Sequence, residues 1–257
     1  MTHLFSAKDV SVKFGGLQAL DSLSLDINEG TITGLIGPNG SGKTTFFNAV
    51  TGLCNLSGGQ VSIDGKEIGG LPARQIYQFG VTRTFQRSRL CLSLSVFDNI
   101  VIGRQNSLDL GIFSNLIRRR RFNQSVRENY ERVHALLRAF SEPLAQRIFD
   151  PLHRLNMIDR RRIEVCRALI AEPRLLLLDE PSAGMTPDET REFMGDILNV
   201  RKHNPRMSII IIEHEMDIMQ RVAEHCVVLN YGRKVAEGTF EAVVADPWVQ
   251  EAYLGAS

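Results

Sequence analysis

Residues 37–44 read Gly37-Pro38-Asn39-Gly40-Ser41-Gly42-Lys43-Thr44, a G-x-x-x-x-G-K-T run. An apolar stretch, Ile32 to Ile36, precedes it, and a helix-like stretch, Thr45 to Thr51, follows and stops near Gly52. Strand, glycine-rich turn and helix in this order place successive backbone N–H groups and a helix N-terminus around one anion. A Cβ at the glycines would keep the backbone from closing on phosphate oxygens. The cradle takes in Asn39, Gly40, Ser41, Gly42, Lys43, Thr44 and Thr45. Lys43 is expected to reach the β- and γ-phosphates of a nucleoside triphosphate, and the Thr44 hydroxyl to ligate Mg²⁺.

Two other polar sites each follow an apolar run, and a third follows a short strand. Leu175-Leu176-Leu177-Leu178 ends in Asp179-Glu180-Pro181, Met207 to Ile212 ends in Glu213-His214, and Val81 to Phe85 leads to Gln86. Uninterrupted apolar strands suit the centre of a parallel sheet covered on both faces, which makes the fold α/β. Ligands of an open α/β sheet bind at the carboxyl ends of its strands. Asp179 is placed there to hold Mg²⁺. Glu180 can activate a water for attack on the γ-phosphorus. His214 can bridge the γ-phosphate and Glu180, and Gln86 can contact Mg²⁺ or the water.

Around this centre, Leu4 to Phe14, Leu23 to Ile27 and Val61 to Ile63 read as strands of a small antiparallel sheet. Ser95 to Ile102, Gln124 to Phe140, Met157 to Ile170 and Glu215 to Val222 read as helices. Thr186-Pro187-Asp188-Glu189 starts another, with Thr as N-cap, Pro at the first helical position and Glu closing a capping box; it runs to about Lys202. Cys226 to Leu229 and Arg233 to Ala236 are strands flanking the Tyr231-Gly232 turn, and Phe240 to Leu254 forms short helices. Residues 103–124 have no clear period, and Arg118-Arg119-Arg120-Arg121 reads as a solvated basic face.

The chain of 257 residues carries a net charge of +1, which gives no global electrostatic case for nucleic acid or an anionic membrane. Cys54, Cys91, Cys166 and Cys226 have no metal-ligand spacing and read as reduced cytoplasmic thiols. No signal peptide is expected from Met1 to Val10, and no apolar run is long enough to span a bilayer. If the protein works at a membrane, another chain supplies the membrane part.

The ordered set resembles the nucleotide-binding subunit of ATP-binding-cassette (ABC) transporters over nearly the whole chain. Phe14-Gly15-Gly16-Leu17-Gln18-Ala19-Leu20, Arg83-Thr84-Phe85-Gln86, Pro181-Ser182-Ala183-Gly184-Met185 and the ending Asp246-Pro247 to Glu251-Ala252-Tyr253-Leu254-Gly255 are similar to importers of branched-chain amino acids, urea or short amides. The resemblance implies a P-loop NTPase (RecA-like) core sheet with an antiparallel β subdomain and an inserted α-helical subdomain. Residues 1–86 and 160–257 would form the core and β subdomain, and 87–159 the helical subdomain. It further implies that Phe14 stacks on adenine, that Gln86 is the Q-loop glutamine, Asp179 and Glu180 the Walker B pair, Ser182 to Met185 the D-loop and His214 the switch histidine. ATP and Mg²⁺ are the implied ligands. The implied partners are membrane permease subunits, a second ABC ATPase subunit and, indirectly, a solute-binding protein, with no nucleic acid. The implied location is the cytoplasmic face of the inner or plasma membrane.

The departure is at the signature motif, LSGGQ in the family. Here the segment is Leu155-Asn156-Met157-Ile158-Asp159, before the basic helix Arg160 to Leu169. Ile158 stands where backbone approaches phosphate and a positive φ is expected. Asp159 is expected to add charge beside the triphosphate, at a cost on the order of 3 kcal/mol per like-charge pair about 5 Å apart. A literal Leu56-Ser57-Gly58-Gly59-Gln60 reads as a turn into a strand. A hydrolysing importer subunit paired with a paralogue is the expected function; a weakly hydrolysing regulatory subunit is the alternative. A soluble ABC ATPase would carry two cassettes or a long coiled-coil insertion, and a GTPase an Asn-Lys-x-Asp motif; neither is found.

Overall fold

The computed structural model describes residues 3–86, 88–104 and 119–254, with side chains described for 123–250 of the last segment. Arg87, the basic run's Arg118 and the end of the Asp246 to Gly255 motif therefore lie outside the described residues or side chains. The chain divides into two compact units: 1–85, 174–181 and 204–257; and 86–173 and 182–203.

The first unit holds two sheets. In one, β1 (Phe5–Phe14), β2 (Leu17–Ile27), β4 (Gly58–Ile63) and β5 (Lys66–Glu67) run antiparallel in the order β2-β1-β4-β5. In the other the order is β10-β9-β3-β8-β7-β6, from β3 (Ile32–Ile36), β6 (Val81–Arg83), β7 (Leu175–Asp179), β8 (Ser208–Ile212), β9 (His225–Asn230) and β10 (Arg233–Gly238). Strands β6, β7, β8, β3 and β9 are parallel to their neighbours, and β10 closes the edge antiparallel to β9. Every residue of β3, β7 and β8 is buried, as suits their predominantly apolar sequences. Helix α1 (Lys43–Val50) packs Phe46 and Phe47 into the core that both sheets share, with Phe46 edge-on to Phe5. Helices α2 (Ala73–Gln78), α8 (Met216–Val222), α9 (Phe240–Val244) and α10 (Pro247–Leu254) complete this unit.

The second unit is helical: α3 (Val96–Val101), α4 (Arg119–Phe140), α5 (Glu142–Ala145), a 3₁₀ turn at Leu152–Arg154, α6 (Met157–Leu169) and α7 (Pro187–His203). Ser95 and Asp98 form a capping box that starts α3. Buried Arg162 of α6 binds Glu192 and Asp196 of α7 at 2.6 and 2.7 Å. That ion cluster explains why the helical unit takes in α6 and α7, where the sequence reading ended it at residue 159. Among the described residues no helix is long and apolar enough to cross a membrane.

Three elements extend beyond their sequence expectations. Strand β2 begins at Leu17 rather than Leu23, because register shifts in the β1–β2 ladder break the alternation that marks a strand. Helix α1 begins at Lys43 rather than Thr45, so Lys43 and Thr44 sit in its first turn. Helix α4 is described from Arg119, where the sequence reading started it at Gln124, so Arg119 to Arg121 are helical.

Candidate nucleotide site

The parallel order brings the carboxyl ends of β3, β8, β7 and β6 to one edge of the first unit. Residues 37–42 leave β3 there and turn into α1. Gly40 adopts φ +81° and Gly42 φ +106°, backbone that side-chain-bearing residues avoid. A Cβ on Gly42 would also meet the Ala19 carbonyl oxygen and Leu20 Cδ2, both at 2.8 Å. The glycine therefore serves packing against β2 as well as the phosphate cradle foreseen for it. Gly42 caps α1 without a side-chain bond, and the first turn of α1 carries no acid. Its N–H groups keep their capacity for an anion. Asn39 and Thr44 are exposed, Thr45 is half-buried and Ser41 is buried.

Lys43 is buried and its ammonium donates to the carbonyls of Gly37 and Pro38, at 2.6 and 3.0 Å. Burial lowers its pKa below the ordinary lysine value, while the carboxylates of Glu180 and Asp179 oppose that shift. Both acids are therefore close enough to Lys43 to act on it. Asp179, the last residue of β7, lies opposite Ile212 of β8. Burial raises its carboxyl pKa, against the hydrogen bond and charge of Arg83. Glu180 takes φ +47°, a left-handed conformation that costs a residue of this type about 1–3 kcal/mol. Its N–H donates to the Ile212 carbonyl at 3.0 Å, and its Oε1 lies 2.7 Å from His214 Nε2. The strained turn thus aims the carboxylate at His214, two residues past β8. Phe14 ends β1 with its ring half exposed.

The donor set suits a magnesium nucleotide. Asp179 Oδ1 and Ser41 Oγ are buried without a hydrogen-bond partner, an arrangement that a bound cation and phosphate would relieve. Among the described residues no group of three or more His, Cys, Asp or Glu could hold a metal. A cation here would draw most of its ligands from phosphate and water, as Mg²⁺ does in such sites.

In the second unit Gln86 is exposed, and its backbone carbonyl accepts a 3.5 Å bond from Arg161 Nη2. The same nitrogen donates to the Ala183 carbonyl at 3.3 Å, and Arg161 Nη1 to Glu164 at 2.8 Å. Arg161 thus ties α6 to the segment Ser182 to Met185, a link that no local pattern signals. Gly184 in that segment has φ +84°.

Two expectations about Leu155 to Asp159 are corrected. Asn156 is the N-cap of α6 and accepts from Asp159 N–H at 2.8 Å, so Ile158 sits in the first turn of a regular helix. Its φ is not positive, and no conformational penalty attaches to the β-branched side chain. Asp159 is paired rather than free, because its Oδ1 is 3.1 Å from Nη1 of Arg162, a guanidinium it shares with Glu192 and Asp196. The literal LSGGQ run is structural: Gly58 to Gln60 belong to β4, and a Cβ on Gly59 would meet the Asp9 carbonyl oxygen at 2.3 Å.

Fold and site together define a P-loop nucleotide-binding protein. The ABC transporter family model matches residues 20–183, and a model for branched-chain amino acid ATP-binding cassette transporters matches residues 233–257. The high-affinity branched-chain amino acid transport ATP-binding protein LivG of Salmonella typhimurium is 36% identical over 252 residues, with 98% of each chain covered. BraF of Pseudomonas aeruginosa, which has the same description, is 35% identical with the same coverage. A nucleotide-free ATP-binding cassette of an ABC transporter superposes with a TM-score of 0.84 at 28% identity, over 99% of this chain and 100% of that one. The structure of an ABC transporter's ATP-binding cassette in its ADP conformation gives 0.83 at 26%, over 100% of both chains. The chain belongs to the ABC transporter family, as an ATP-binding subunit.

Proposed function

We propose that this chain is the ATP-hydrolysing subunit of an importer for branched-chain amino acids or related small amide solutes, held at the cytoplasmic face of the membrane by permease subunits. The 2.7 Å contact between Glu180 and His214, beside buried Lys43 and Asp179, carries the hydrolytic part of this reading. The cargo rests on the relatives' descriptions and on the match at residues 233–257.

In this reading Asn39 to Thr45 cradle the phosphates, Lys43 holds the β- and γ-phosphates, and Phe14 stacks on adenine. Thr44, Asp179 and Gln86 would hold Mg²⁺, which supplies charge neutralisation at the phosphates. Glu180 accepts the proton of the attacking water, and His214 holds the Glu180 carboxylate in place. A weakly hydrolysing regulatory role is not favoured, since the chain aligns end to end with transport ATP-binding proteins.

A second ATPase subunit completes the assembly, and a paralogue is the favoured partner. The start of α6 has Met157 44% exposed at its surface and a buried Ile158 in place of a family glycine, so a side chain stands where a partner's triphosphate would meet backbone. ATPase activity with and without co-purified permease subunits tests the whole reading. Stimulated hydrolysis in the complex is expected, and a complex that transports without hydrolysis by this chain would overturn it.

A further inference from the structure

Arg83, the last residue of β6, is buried where ionised side chains seldom are. Its Nη2 lies 2.6 Å from Asp179 Oδ2, and the two side chains are only 4% and 1% exposed. Its other edge turns to α1: Nη1 donates to Asn48 Oδ1 at 2.7 Å and lies 3.5 Å from Thr51 Oγ1. The guanidinium carbon stands 5.3 Å from the Phe47 ring centroid and 5.1 Å from that of Phe85. Polar groups fix the planar fork within its plane, and the rings restrain it out of that plane. The two oxygens of Asp179 become inequivalent as a result. Oδ2 is engaged, while Oδ1 is buried with no hydrogen-bond partner.

We propose that Arg83 is the positioning residue of the metal-binding carboxylate: it holds Asp179 by Oδ2, presents Oδ1 to the nucleotide's cation, and ties that oxygen to the helix that carries Lys43 and Thr44. The inference rests on the magnesium-nucleotide reading of this site. A carboxylate restrained at one oxygen cannot rotate without breaking a buried charge-assisted bond, so its second oxygen is set before the cation arrives. Asn48 lies five positions beyond Lys43 in α1, so the phosphate cradle and the carboxylate are braced through one side chain. Lysine would supply the charge without the fork that reaches Asp179 and Asn48 at once.

The test uses the full-length chain, with ADP affinity measured in EDTA and Mn²⁺ affinity and the Mn²⁺ electron paramagnetic resonance spectrum measured on the ADP-bound protein. Arg83→Met and Arg83→Lys are expected to keep metal-free ADP affinity within about twofold and to lose about 10–100-fold in Mn²⁺ affinity, with Met the more severe. The Mn²⁺ spectrum should broaden. Unchanged Mn²⁺ affinity in Arg83→Met, or an equal loss of ADP binding without metal, would overturn the assignment. Should Arg83→Met fail to fold, Asn48→Ala frees one edge of the guanidinium and is expected to weaken Mn²⁺ several-fold with metal-free ADP binding intact; no change in Mn²⁺ affinity there would overturn it equally. A wild-type chain that binds ADP with no bound Mn²⁺ would instead remove the magnesium-nucleotide reading, and this assignment with it.

Discussion

His214 Nε2 and Glu180 Oε1 lie 2.7 Å apart, although the residues are 34 positions apart in sequence and follow different strands. The contact exists because β7 and β8 are parallel neighbours, with Asp179 opposite Ile212. Glu180→Gln keeps the shape of this pair and removes the proton acceptor. Turnover in the assembled transporter should fall by about 10²–10⁴-fold, with ATP still bound. Paired with a paralogue whose signature is intact, the loss should be much larger than for the equivalent change in the partner. ATPase assays on the two single mutants check this; equal losses, or robust ATPase from a homodimer of this chain, would show that Asn156, Ile158 and Asp159 serve as a working signature.

Lys43→Ala should abolish hydrolysis and weaken triphosphate binding. The ammonium is already inside the loop, bonded to Gly37 and Pro38, and is expected to exchange these carbonyls for phosphate oxygens. Turnover by the purified complex at saturating ATP is the measurement, and wild-type rates would refute the role.

Phe14→Ala should weaken ATP binding about tenfold or more, since stacking of a base on an aromatic ring contributes roughly 1–3 kcal/mol. Tyr and Trp should be tolerated. The ring is half exposed at the end of β1, so its loss should leave stability nearly unchanged. Equal ATP dissociation constants for the wild type and the alanine variant would count against the stacking.

The segment from Gln86 through Asn99 is proposed to meet a cytoplasmic loop of the permease. Leu92 and Leu94 are exposed rather than packed into the helical unit, and their carbonyls are bonded to the N–H groups of His153 and Leu152. They form a fixed apolar edge beside exposed Arg89 and Ser93. A cysteine at Arg89 or Ser93 should cross-link to the permease in membranes. No cross-link from any described position of the segment would remove this surface.

Arg162→Met should destabilise the helical unit by about 3–5 kcal/mol, because it strands the largely buried Asp159 and Asp196 without their cation, while exposed Glu192 turns to water. Burial alone would lower the pKa of Arg162, and the three carboxylates outweigh it and raise it. Urea unfolding monitored by circular dichroism measures the cost. A change under about 1 kcal/mol would mean that the carboxylates are rehydrated without loss.

Sequence made the chemistry legible where a residue type is scarce and its place in a motif is fixed. Asp179, Glu180 and His214 come directly or nearly so after short apolar runs, and Lys43 stands in a glycine-rich motif that follows another. Arg83 was passed over, because its partner lies 96 positions away and the pairing follows from β6 lying beside β7. The setting of Asp159 was hidden for the same reason: its paired arginine is three positions on, but the network that orients that arginine comes from α7. Helix α2 left no readable stripe, since only Ile76 of its six residues is buried. The length of β2 was hidden by irregularities that belong to its ladder with β1.

Strand β3 has two neighbours in its sheet, β8 and β9, and it pairs with them from Ile32 opposite Ile209 to Ile36 opposite Val228. Both are made late in synthesis. On the ribosome the largely apolar P-loop strand therefore gains its first sheet neighbour only after about four-fifths of these residues have been translated, and its second after nearly nine-tenths. ATP cannot steady the nascent chain during that interval, because the edge that would receive it does not yet exist. Protection of this segment before release must come from a chaperone or from the antiparallel sheet, whose four strands are complete by Glu67.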